Sequence, residues 1–169
     1  LELHDVTRNG QFVVLAHLLM RDGLDVSRRD QTGSTALHYS SSPEASLLLV
    51  RAGAEVDARD GSGCTPLHVL ASGGGKSSPS ETICDCMKTL VSLGADASTS
   101  DADGTPALKG ALDYRLEFAE CLLSLGADPN DKDGNGNPLI CDAAMWSSIE
   151  EAHLLLEHGA DPNVRSSLV

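Results

Sequence analysis

Aromatic side chains are nearly missing from this chain: two Phe, two Tyr and one Trp make up 3% of its 169 residues. A core must therefore be built from Leu, Val and Ala, which suits thin helices in close contact better than a broad sheet sandwich. No apolar run approaches the roughly 18 residues that a bilayer span needs, and no basic-then-apolar leader opens the chain. Basic charge is scarce as well, with 12 Lys and Arg against 25 Asp and Glu and a net charge of −13. The deficit is uneven. Residues 1–90 carry 11 acidic and 8 basic groups, net −3, whereas residues 91–169 carry 14 and 4, net −10. Such a surface repels phosphate backbones and anionic lipid and favours a partner with a basic patch, solubility alone being the plainer alternative. The cysteines, Cys64, Cys84, Cys86, Cys121 and Cys141, are odd in number. Without an export signal they point to free thiols in a reducing compartment, so an intracellular site, cytoplasm or nucleus, is expected.

Catalytic signatures are lacking too. The chain has no nucleophile elbow and no His-Glu-x-x-His pair. The run Gly73-Gly74-Gly75-Lys76-Ser77 ends like a phosphate loop but lacks the first glycine at the required spacing. Cys84-Asp85-Cys86 has no second ligand pair, and stacked helices would hold His38 and His68 about 10 Å apart, too far to share a zinc ion. No enzyme activity, metal or cofactor is expected.

What the sequence does contain is a tandem pattern. Gly-Ala-acidic triplets recur at Gly53-Ala54-Glu55, Gly94-Ala95-Asp96, Gly126-Ala127-Asp128 and Gly159-Ala160-Asp161, with a weaker Gly23-Leu24-Asp25. Each follows an apolar stripe such as Leu47-Leu48-Leu49-Val50 or Leu154-Leu155-Leu156, so the glycine reads as a helix C-cap. A second marker follows: Ser34-Thr35-Ala36-Leu37-His38, Cys64-Thr65-Pro66-Leu67-His68, then degraded forms at Thr105-Pro106-Ala107-Leu108-Lys109 and Asn137-Pro138-Leu139-Ile140-Cys141. Thr or Asn caps a helix start and Pro is tolerated in its first turn. Each unit therefore reads as turn, short helix, loop, second helix.

Thr65-Pro66-Leu67-His68 and the recurring Gly-Ala-acidic triplets make the chain resemble the ankyrin-repeat family over nearly its whole length. The resemblance implies an all-α solenoid of helix-turn-helix units with β-turn or hairpin fingers. It divides residues 1–169, a single domain, into repeats at about 1–29 (truncated), 30–59, 60–100, 101–131 and 132–165. The 30–59 repeat is about three residues short, so Ser41-Ser42-Pro43 must turn tightly, and the 60–100 repeat carries an insert at 73–80. In the last two repeats Lys109 and Cys141 replace the motif histidine, while Leu108 and Ile140 keep the leucine position. The chain is expected to be a piece of a larger protein.

The resemblance also implies a role: a protein-interaction module that engages a partner through finger tips and first-helix ends. By register these contacts are Arg29, Gln31, Thr32 and Ser34; Arg59, Ser62 and Cys64; Ser100, Asp103 and Thr105; Asp131 and Asp133; and, at helix ends, Asp113, Tyr114, Met145 and Trp146. Tyr114 and Trp146 among aspartates suggest a basic or Arg-anchored peptide, because buried aromatics anchor many interfaces. Trp146 is either that anchor or packing between its own helices. Each Asp either meets the partner or serves its turn. The fragment is expected to be monomeric, with no direct nucleic-acid or membrane contact. The alternative is an internal structural or regulatory domain of a larger enzyme, channel or ubiquitin-ligase adaptor. Ser78, before Pro79 in the insert, is a candidate phosphorylation site, and Ser167-Leu168-Val169, as a natural C-terminus, would resemble a PDZ-domain ligand.

Overall fold

One short helix of this chain cannot bury its own apolar face, and the computed structural model shows how neighbours cover it. It describes residues 3–21, 23–74 and 79–165, so Ser78 and Ser167-Leu168-Val169 lie outside the described residues. Five helix pairs follow one another. Leu3–Arg8 (α1) pairs with Phe12–Leu19 (α2), and the 3-10 helix Ala36–Tyr39 with Pro43–Arg51 (α3). Pro66–Ala71 (α4) pairs with Ser80–Ser92 (α5), Ala107–Tyr114 (α6) with Leu116–Ser124 (α7), and Leu139–Met145 (α8) with Ile149–Glu157 (α9). Among the described residues there is no strand. Two isolated antiparallel bridges, Ser100 with Pro106 and Lys132 with Pro138, close the last two fingers.

The packing is serial, as a solenoid requires. The second helices stack α3 on α5 on α7, and α4 stacks on α6. In α5 the apolar positions Ile83, Met87 and Leu90 recur every three or four residues and are buried against that stack. The motif leucines Leu37, Leu67 and Leu108 are equally hidden, and burying each contributes about 2 kcal/mol. Ile140 is only half-buried, while Leu139 beside it is buried. No further helix pair stands against that side among the described residues.

The irregularities have structural consequences. Shortening the 30–59 repeat reduces its first helix to a single 3-10 turn, after which Ser42 caps α3 by accepting a hydrogen bond from Ala45 N–H at 3.1 Å. The insert separates Ala71, the end of α4, from Ser80, where α5 starts behind Pro79. At its base Gly73 has φ +82°, and a Cβ there would come within 2.3 Å of the Tyr114 ring, so the glycine leaves room for an aromatic of the next pair. The first pair was less truncated than expected. Leu3-His4 is the tail of the same helix-start motif, and Asn9-Gly10 makes the inter-helix turn with Gly10 at φ +63°.

At the equivalent turn between α8 and α9 stands Ser147, the non-glycine residue with positive φ among those described, at +57°. An L-residue in this region costs roughly 1–2 kcal/mol. Ser147→Gly is therefore expected to stabilise the protein by about 1 kcal/mol, the larger unfolded-state entropy of glycine offsetting part of the relief. Urea unfolding should show a raised midpoint at unchanged slope. An unchanged or lower midpoint would show that the serine sits there without strain.

Candidate functional site

The finger row begins with one carboxylate per finger. Asp30, Asp60, Asp101 and Asp133 each accept backbone N–H groups two and four residues on: Thr32 and Ser34, Ser62 and Cys64, Asp103 and Thr105, Asn135 and Asn137, all at 2.8–3.1 Å. Burial works against charge on Asp133, yet the Asn137 and Asn135 hydrogen bonds outweigh it and hold the carboxyl below its usual range. Asp133 thus serves its own turn. Asp103 is different: its side chain is exposed at the tip, since Asp101 closes that turn.

Arg29 and Arg59 turn back onto the fingers. Arg59 Nη1 donates to Gly63 O at 2.9 Å and to Ser100 O on the next finger at 2.7 Å. Arg29 Nη1 donates to Gly33 O at 2.7 Å and to Arg59 O. These arginines tie consecutive fingers together, a role that register alone did not reveal. Backbone bonds reinforce the ties, Gly61 N–H to Thr32 O at 2.8 Å and Ala102 N–H to Ser62 O at 3.1 Å. Gln31 and Ser62 stay exposed at the tips, while Thr32, also exposed, donates to Asp30 at 2.6 Å. Ser34 is buried, and Cys64, Ser100 and Thr105 are half-buried.

The motif histidines reach across the same joints. His38 Nδ1 accepts Thr35 N–H at 3.0 Å, which leaves the proton on Nε2 to donate to Cys64 O at 3.1 Å. His4 places its Nε2 3.0 Å from Ser34 O in the same way. Burial, its largest influence, lowers the His38 pKa and keeps the ring neutral. His68 accepts Thr65 N–H at 3.2 Å, but its Nε2 forms no hydrogen bond and faces the carbonyls of Thr105 and Thr99. Cys141, in the last histidine position, directs its thiol at Val164 O at 3.8 Å.

Lys109 replaces the histidine with a longer reach. Its Nζ lies 2.5 Å from Asp113 Oδ1 and 2.7 Å from Asp142 Oδ2, joining α6 to α8. Desolvation alone would lower the lysine pKa, but the hydrogen bonds to Asp113 and Asp142 prevail and raise it. Asp142 Oδ1 in turn accepts the Trp146 indole N–H at 3.1 Å. One chain of contacts therefore links Asp113, Lys109, Asp142 and Trp146. The indole is 76% exposed and Met145 beside it 55%, so Trp146 is not packing between helices. Tyr114 leans the other way, stacked on Phe118 at 6.0 Å between centroids and over Gly73.

Two buried thiols are poor nucleophiles. Burial pushes Cys86 and Cys121 up to about 12, and Cys121 donates to Cys84 O at 3.7 Å. Among the described residues no three His, Cys, Asp or Glu side chains group as a metal site, and no helix is long and apolar enough to cross a membrane.

Asp131 departs most from its expected place at a tip. It occupies the slot that Ala58 fills two fingers earlier, five residues after the capping glycine, with Oδ2 buried and unpartnered. Burial, then Asp128 and Asp96, raise its pKa to about 6. A carboxyl whose folded pKa is raised destabilises the fold fully above that value, and the penalty fades as pH falls from there to the unfolded value of about 4. Asp131→Asn should therefore stabilise the protein at pH 7.5 by about 1 kcal/mol after discounting for solvent. The gain should fall to roughly half at pH 5, where the folded carboxyl is protonated but the unfolded one is still ionised. Equal gains at both values, from paired urea titrations, would exclude an ionised Asp131.

Comparison with known proteins agrees with this geometry. A family model for ankyrin repeats matches in three copies, over residues 3–101, 42–133 and 77–166. A search of curated proteins finds no match. Ankyrin repeats are generally protein–protein interaction modules and typically non-catalytic, and on the family match together with the finger, capping and stacking geometry, the chain belongs to the ankyrin-repeat family.

Proposed function

We propose that the chain binds a basic segment of another protein, seated at the end of α8 where Trp146 and Met145 stand exposed beside the Asp142–Lys109–Asp113 chain. The supporting observation is the pairing of a 76% exposed indole with a hydrogen bond that fixes its orientation. A large aromatic held in place but uncovered loses little conformational freedom when a partner covers it. Asp103 on the neighbouring finger adds uncommitted negative charge. Asp113 is weaker than a residue count implies, because Lys109 already neutralises it. Direct nucleic-acid or membrane contact is not part of this reading, which has the domain act as a monomer inside the cell, in cytoplasm or nucleus.

A second reading, an internal domain whose contacts lie within a larger protein, draws on the opposite end of the stack. Val13 and Met20 of the first pair are 79% and 84% exposed and would suit a neighbouring domain.

Trp146 is the single tryptophan, so its fluorescence reports directly on the site. Titration with a synthetic Lys/Arg-rich peptide should shift its emission to the blue, with affinity falling as salt rises above about 0.1 M. In the Trp146→Ala, Asp113→Lys double variant, affinity measured through a labelled peptide should drop about tenfold with circular dichroism unchanged. An unshifted emission, or equal affinity in the variant, would remove this site.

A further inference from the structure

A hollow at the other end of the array is lined by more arginines than carboxylates, although the protein as a whole is acidic. It encloses about 730 Å³ between α1 and the first finger and is lined by Arg8, Arg28 and Arg29 together with Tyr39, Asp5 and Asp30. Arg8 and Arg29 are both held in position. The Arg8 guanidinium lies 4.0 Å above the Tyr39 ring, and Arg29 is fixed by its two carbonyl acceptors, Gly33 and Arg59. Arg8 makes no hydrogen bond to a described residue, so its donor fork is open, and Arg29 engages its acceptors through Nη1 alone.

The two carboxylates do not cancel this field equally. Asp30 accepts from Thr32 N–H, Thr32 Oγ1 and Ser34 N–H through one oxygen and from Tyr39 OH at 2.6 Å through the other. Its charge is answered within its own turn. The same Tyr39 thus anchors Asp30 by its hydroxyl and carries Arg8 on its face. Asp5, one turn before Arg8 on α1, remains as the competing charge, and its carboxylate is not within ion-pair distance of Arg8. Arginines that are oriented before binding lose little entropy, and their planar forks match a carboxylate or phosphate through paired hydrogen bonds.

We propose that this hollow binds an anionic side chain of a partner peptide, a carboxylate or a phosphorylated hydroxyl, gripped by Arg8 with Arg28 and Arg29 behind it. The surface is separate from the Trp146 end and of opposite sign, so neither assignment depends on the other.

The test uses three fluorescein-labelled peptides identical except at one central residue: phosphoserine, glutamate or alanine. Anisotropy should show binding of one or both charged peptides and at least tenfold weaker binding of the alanine peptide. Whichever charged peptide binds tighter identifies the source of the anion. Arg8→Gln should weaken the charged peptide about tenfold, Arg8→Lys less, and Asp5→Asn should strengthen it. Trp146→Ala should leave it unchanged, which separates failure here from failure at the other end. On wild-type protein, inorganic phosphate should displace the charged peptide more effectively than chloride at matched ionic strength, a readout independent of how the variants fold. Equal binding of the alanine peptide, indifference to Arg8→Gln in a folded variant, or displacement no better than by chloride would overturn the proposal.

Discussion

Each finger hangs on one aspartate. By accepting the N–H groups of the residues two and four further on, Asp30, Asp60, Asp101 and Asp133 fold a polar stretch with little apolar content of its own into a rigid turn. The turn then presents carbonyls at fixed places, and the previous unit grips them. Cys64 O receives His38, and Gly63 O and Ser100 O receive Arg59. Without the turn these acceptors would face water and the histidine would be buried without a partner, a cost of about 1–3 kcal/mol per group. Helix stacking supplies most of the buried area, but the finger carboxylate sets the register in which the helices stack.

Much of this was legible in the sequence because it is local. A capping glycine after an apolar stripe, a Thr-Pro-Leu-His start and an Asp-rich turn each report on their own few residues. The recurrence of all three at similar spacing revealed the solenoid, the shortened 30–59 unit and the insert. Leu3-His4 and Asn9-Gly10 are local signals of the same kind in the first pair. What composition could not show is where a long side chain ends. Arg29 and Arg59 stand at positions that register assigns to partner contact, yet their guanidinium groups lie on carbonyls of the adjacent finger. Lys109 reads as a degraded histidine and acts as a bridge to the next helix pair.

The same distinction applies to charge. Counting acids in the second half gives a strongly negative surface, but several of them are already engaged. Asp133 serves its turn, Asp113 and Asp142 flank Lys109, and Asp131 is half-buried with a raised pKa. The uncommitted acids lie elsewhere. Glu117, Glu120 and Glu150 line an open groove between α7 and α9 beside Leu116 and Ile149. On the finger side, the acid left free for a partner is chiefly Asp103. A partner seated at Trp146, as proposed, would therefore draw on apolar cover of the indole as well as on salt links.

The joints between successive pairs also differ in kind along the array. The first three fingers are tied by arginine-to-carbonyl and backbone bonds, and the first two also by His38, whose Nε2 reaches Cys64 O. At the third finger Ser100 stands where the earlier fingers have arginine, and His68 Nε2 closes no hydrogen bond. The joint from α6 to α8 is carried instead by the Lys109–Asp142 ion pair, whose two side chains are each 19% exposed. A partly buried pair of this kind is stronger than a surface pair, but unlike a neutral hydrogen bond it weakens with salt and depends on both charges. The array is thus held by neutral hydrogen bonds and fixed arginine ties at one end and by an ion pair at the other. Because Trp146 is hydrogen-bonded to the same Asp142, any change in that ion pair reaches the indole directly. The ion-paired joint of the stack and its most exposed aromatic therefore share one carboxylate, Asp142.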